Sequence, residues 1–151
     1  MRAATLHGQT ARPLPFAFWL CALFVCPLAL ADQNAVISVY HHVSDSTPPS
    51  TSLSPAAFRA HLSFLAENNF TVLPLTQILT TLNDGEDLPE RTVAITFDDG
   101  YESIYSTAFP LLQEFGFPFT VFVSTGPIDR QQNGYMTWEQ LSALHRAGVG
   151  R

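Results

Sequence analysis

The chain has 151 residues, of which 46% are hydrophobic and only 13% charged, a length that suits one domain or part of one and an apolar content above that of an average soluble domain. All 13 acidic residues but only five of the seven arginines follow Ala31, and there is no lysine, so residues 32–151 carry a net charge of −8. A surface of that sign lacks the cations that nucleic-acid phosphates require, which argues against nucleic acid as a partner and leaves neutral sugars and other uncharged substrates open.

Much of the apolar excess sits at the N-terminus. Arg2 and Arg12 precede the run FAFWLCALFVCPLALA, residues 16–31, which closes on Ala29-Leu30-Ala31, the small-x-small pattern of a signal-cleavage site. The run is short for a membrane span and Pro27 interrupts its end. Residues 1–31 are therefore read as a cleaved secretory signal rather than a retained anchor, with export to the periplasm, cell envelope or medium and no stable membrane span afterwards. Cys21 and Cys26 both fall inside this segment, so residues 32–151 hold no cysteine.

From Asn34 the pattern alternates between short β-rich runs and longer helical ones. Residues 35–40 (AVISVY) predict a buried strand, followed by the loop SDSTPPSTS, whose paired prolines cannot continue a sheet. Ser54 is placed to cap a helix with Pro55 in its first position, and Phe58, Leu62 and Leu65 recur at helical spacing. A short strand at 70–73 leads to a second helix striped by Leu75, Ile78, Leu79 and Leu82 and stopped by Asn83-Asp84-Gly85. Residues 92–97 (TVAITF) are the third strand. The apolar-striped segment from 103 to 115 carries Pro110, which should kink or shorten its helix. Residues 119–124 (FTVFVS) are the fourth strand, and Thr137 with Gln140 predicts a capping box for a helix stopped at Gly148. Four β-α units in series imply a parallel sheet clad in helices, doubly wound or barrel-like. Four units do not close a barrel, and Val149 reads as the entry to another strand, so the fold is expected to be incomplete.

The third strand ends in the acidic pair Asp98-Asp99 followed by Gly100. Two adjacent carboxylates repel and lose hydration if their surroundings are apolar, so exposure, a metal ion or proton-transfer chemistry must offset that cost. In parallel α/β folds functional groups collect at the carboxyl ends of strands, which is where this pair lies. The plainer alternative is a solvated turn in which one aspartate caps the next helix. His41 and His42 close the first strand, where successive side chains point to opposite faces, so at most one faces a central site. A structural or hydrogen-bonded role is the plainer reading of both. His61 and His145 read as surface residues on helices. Tyr101, Tyr105, Tyr135 and Trp138 suit either core packing or a sugar-stacking face.

The string TFDDG at 96–100, preceded by VAI, resembles the first motif of the polysaccharide deacetylases, carbohydrate esterase family 4 with its NodB-homology domain. YHHVSD, SPAAFRAHLSFLAENNFTVLPL, FPFTVFVSTG and MTWEQL resemble the same family, and in particular its branch acting on poly-N-acetylglucosamine. The resemblance implies a partial, distorted TIM-like (β/α) barrel with residues 32–151 as its N-terminal part. It also implies removal of N-acetyl groups from a polysaccharide, Asp98 as catalytic base, Asp99 as ligand of a divalent metal, usually zinc, and His41 near substrate. The family's second metal motif, His-x-x-x-His, does not occur here. One carboxylate cannot hold a catalytic zinc, which needs about three protein ligands, so a truncated, inactive chain is expected. The rival is a non-catalytic carbohydrate-binding remnant. A glycoside hydrolase fits less well, because its two carboxylates must flank a glycosidic bond about 5 Å or more apart.

Overall fold

The computed structural model describes residues 34–148; the predicted signal, both cysteines and Val149 lie outside them. Four strands form one parallel sheet. The central strand β5 (Thr92–Phe97) pairs along one edge with β1 (Val36–Tyr40), from Val36 opposite Val93 to Tyr40 opposite Phe97. Its other edge is shared. β4 (Thr71–Val72) lies against Thr92 and Val93, and β6 (Thr120–Val121) against Thr96 and Phe97. The backbone alternation of a strand makes this sharing possible. Asp98 N–H donates to the Tyr40 carbonyl on one side, while the Val93 and Phe97 carbonyls accept from Leu73 and Phe122 on the other.

The connections between the parallel strands run through helices, as crossovers of this kind usually do. Helix α1 (Pro55–Glu67) starts where predicted, with Ser54 Oγ accepting from Ala57 N–H at 3.1 Å, and it buries Phe58 and Leu62. Helix α2 (Leu75–Asn83) ends at Asp84 and Gly85. The segment after β5 is a π-helical turn, Ile104–Ala108, running into α3 (Phe109–Phe115). Pro110 has no N–H for the Ser106 carbonyl, and the neighbouring Phe109 N–H reaches back five residues to Ile104. The expected kink takes this form. The Thr137–Gln140 box is present in both directions, 2.9 and 3.3 Å, at the start of α5 (Trp138–Arg146).

Three features depart from the sequence reading. β1 is not buried: Val36, Ile37 and Val39 are 58%, 49% and 54% exposed, because among the described residues β1 pairs only with β5 and little packs over it. The loop after β1 contains a two-residue parallel pair, β2 (His42–Val43) with β3 (Ser52–Leu53). A short helix α4 (Thr125–Asp129) follows β6, where no helix was expected.

The core lies between β5 and helices α1, α3 and α5, with Phe58, Leu62, Ile95, Phe97, Ile104, Leu112, Phe119, Met136 and Leu144 all buried. Phe97 packs edge-on to both Phe58 and Phe119. Every residue of β5 is buried. The acidic pair therefore leaves the sheet from its best-anchored strand. No described helix is long and apolar enough to cross a membrane.

Candidate functional site

The pair sits at the carboxyl end of β5, and both aspartates are half-buried. Strand geometry stops at Asp98, whose N–H still bonds Tyr40. Asp99 then turns left-handed, φ 69°, and Gly100 follows at φ 78°. A non-glycine residue in that region costs of order 1 kcal/mol and persists only where its surroundings enforce it. Here they do. The Asp99 carbonyl accepts from Ser124 N–H at 3.1 Å, Gly100 N–H donates to the Asp98 carbonyl at 2.9 Å, and the Gly100 carbonyl accepts from Met136 N–H at 2.9 Å. Gly100 itself is packed against Val123 and Ile128, so the turn is clamped between the end of β6 and the loop before α5.

The Asp99 side chain is held as well. Ser124 Oγ donates to its Oδ1 at 3.3 Å, and the Tyr101 hydroxyl lies within the electrostatic reach of Tyr135 and Asp99. Those contacts, burial and the Asp99 charge raise the Tyr101 pKa, with the Tyr135 hydrogen bond the largest cause, so Tyr101 stays a neutral phenol. Its ring stacks on His42, with centroids 3.6 Å apart, and meets Tyr135 in a tilted contact at 4.8 Å. Burial lowers the His42 pKa, His41 lowers it further, and Asp99 partly opposes both.

Of the two histidines it is thus His42 whose ring joins the Tyr101–Asp99 group. His41 lies on the rim of a cleft of about 220 Å³, which it shares with Tyr40, His42, Ser52 and His61. His61 is exposed, as read from sequence, yet its Nδ1 lies 3.3 Å from the Tyr40 hydroxyl, within hydrogen-bonding reach. His145 is exposed in the last turn of α5. Neither Ser124 as a partner of Asp99 nor Tyr135 as a neighbour of Tyr101 was identified from the sequence. Ser124 was legible in principle, since it follows a parallel strand adjacent to β5 and so reaches the same end of the sheet.

These residues suit a carboxylate held in one orientation beside a second one. They do not make a metal centre by themselves: among the described residues no three His, Cys, Asp or Glu side chains converge. The Asp99 carboxylate is oriented by the Ser124 hydroxyl at 3.3 Å.

Comparison with known proteins points to one family. Residues 85–150 match the family model described as polysaccharide deacetylase. The chain is similar to the polysaccharide deacetylases. It is 32% identical to the poly-beta-1,6-N-acetyl-D-glucosamine N-deacetylase of Escherichia coli (strain K12), over 78% of this chain and 20% of that protein. Against the protein of the same name from Staphylococcus aureus (strain MSSA476) the identity is 30%, over 74% of this chain and 39% of the relative. In structure it is similar to IcaB from Ammonifex degensii, with a TM-score of 0.70 and 29% identity over 78% of this chain and 50% of IcaB. The architecture is accordingly part of the polysaccharide deacetylase α/β fold, and the chain spans from a fifth to about half the length of these relatives.

Proposed function

We propose that residues 32–151 form the N-terminal part of the catalytic domain of an exported deacetylase that removes N-acetyl groups from an N-acetylglucosamine polymer. The observation that supports this best is the clamped Asp98-Asp99-Gly100 turn at the end of the buried central strand, in a chain related to N-deacetylases. Asp98 acts as general base, taking the proton of the water that attacks the acetamide carbonyl. Asp99 is one ligand of a divalent metal, zinc in the first instance. Such an ion polarises a carbonyl and lowers the pKa of a bound water. Ser124 fixes the Asp99 carboxylate, and His41 borders the substrate. Attack gives a tetrahedral intermediate that collapses to acetate and a free amine.

On this reading the 151-residue chain releases no acetate alone, because among the described residues one fixed carboxylate is too few ligands for a catalytic metal. The same observation favours a second reading, a non-catalytic carbohydrate-binding form of the fold. The two separate when the gene is expressed with whatever coding sequence follows codon 151, and acetate release from N-acetylglucosamine oligomers is measured with added zinc or cobalt. Metal-dependent release that falls about 100-fold or more in Asp98→Asn supports the enzyme. Oligomer binding without release supports the second reading. Full activity in Asp98→Asn or Asp99→Asn overturns the roles given to the pair.

A further inference from the structure

We propose that residues 128–138 form a saccharide subsite beside the acidic pair, with Trp138 as its stacking face and the amides of Gln131, Gln132 and Asn133 as its hydrogen-bonding groups. The inference rests on the deacetylase reading for the identity of the polymer, and on the structure of this segment for the rest.

Trp138 opens α5, whose apolar stripe could have drawn it into the core, yet it is 47% exposed. Leaving an indole of that size in water forgoes much of its burial free energy. Its only polar atom is occupied: Nε1 donates to Asp129 Oδ1 at 3.0 Å, fixing the ring against the end of α4. The result is a large aromatic plane, held in orientation, with nearly half its surface facing solvent. The residues that precede it in the chain line an open cleft of about 370 Å³, within the range of small-ligand sites, with Ile128, Gln131, Gln132, Asn133, Tyr135 and Thr137 among them. No charged side chain lines it. Primary amides both donate and accept hydrogen bonds without charge. That set matches sugar hydroxyl and acetamide groups; a phosphate or carboxylate ligand would call for arginine or lysine.

The segment is also in the right place. Met136 N–H bonds the Gly100 carbonyl, and Glu102 N–H bonds the Gly134 carbonyl, both at 2.9 Å, so the loop is stitched to the turn that bears the aspartates. Two residues of chain reach at most about 7 Å, which sets the backbone of Trp138 close beside that junction. A polymer crossing Asp98 continues onto this face with a neighbouring sugar unit. The ligand is therefore an uncharged N-acetylhexosamine oligomer, engaged at a ring other than the one being deacetylated.

The test uses the full gene product carrying Asp98→Asn to stop turnover, with binding of β-1,6-linked N-acetylglucosamine pentamer and dimer measured by calorimetry. Trp138→Ala is expected to weaken the pentamer about tenfold and to narrow its advantage over the dimer. Trp138→Phe should recover most of that loss, and Asp129→Ala, which frees the ring, should fall between. Pentamer affinity within twofold of the parent in Trp138→Ala overturns the subsite, whether or not the Asp98-bearing protein releases acetate. Trp138-dependent binding in a protein that never releases acetate keeps the subsite and removes the deacetylase reading. If circular dichroism shows Trp138→Ala unfolded, Gln132→Ala and Asp129→Ala decide, and pentamer affinity unchanged in both overturns the subsite.

Discussion

Gly100 has no room for a side chain. At φ 78° a Cβ is strained by the backbone alone, and it would stand 3.2 Å from Val123 Cγ1 and 3.5 Å from Val123 Cβ. Val123 cannot easily withdraw, because the next residue, Ser124, is bonded to Asp99 through both its N–H and its hydroxyl. Gly100→Ala should cost about 1–3 kcal/mol in chemical denaturation. Gly116→Ala is the control: φ is 68° but nothing lies within 4 Å, so it should lose only the backbone term, about 1 kcal/mol. Equal losses at the two positions would show that the clamp around Gly100 is looser than its distances indicate. His42 gives a second residue-level test. Burial sets its folded pKa below the ordinary 6.5, so the folded state favours the neutral ring and the unfolded state binds the proton more readily. Its contribution is complete above pH 6.5 and is lost as pH falls toward the folded value. A melting temperature that declines with acidification in the wild type, and less in His42→Gln, is the expected result, and an imidazole titrating at or above 6.5 by NMR would contradict it. The acidic pair was legible from its position after a strand. Its surroundings were only partly so: Ser124 follows a strand beside β5, but His42 and Tyr135, which meet the Tyr101 ring, come from two other segments, and which side chains meet there depends on register and turn geometry that short-range patterns do not encode.

At the scale of elements the reading depended on local chemistry and succeeded where that chemistry is local. The caps at Ser54 and Thr137 were recognisable because a side-chain oxygen and the N–H groups it serves are three residues apart, and both are formed. Ser54→Ala should therefore destabilise by about 1 kcal/mol, while Ser54→Gly should cost only a few tenths, since glycine leaves the cap open to water. A thermal shift for Ser54→Ala no larger than that for Ser54→Gly would mean that α1 is held by Phe58 and Leu62 alone. The π-helical turn was foreseen only as a kink, because Pro110 announces a missing donor without saying how the ladder closes around it. Helix α4 and the β2–β3 pair escaped notice for a related reason. They are two to five residues long, too short to show a period, and exist because tertiary contacts position them.

For the molecule as a whole, apolar runs identified every strand of the main sheet but not where each stands in it. Residues 92–97 and 35–40 read alike, yet β5 is buried throughout while β1 leaves three large side chains in water. Burial belongs to the neighbours a strand acquires, and β1 has β5 on one edge and no paired strand on the other among the described residues. An open edge carrying Val36, Ile37 and Val39 combines unpaired backbone groups with apolar surface, the two ingredients of edge-to-edge association. The net charge of −8 on residues 32–151 opposes association only in part, because none of residues 35–44 is charged at neutral pH when the histidines are neutral. Val36→Lys places a cation on this edge, where it costs little because the side chain already faces solvent. We expect the 151-residue chain to elute larger with rising concentration, and Val36→Lys to suppress that shift while moving the denaturation midpoint by no more than about 0.5 kcal/mol. A concentration-independent elution volume in the wild type would show that the edge is shielded. Suppression accompanied by a large loss of stability would instead place Val36 inside a packed contact. Only relief of association at preserved stability assigns the effect to the edge itself.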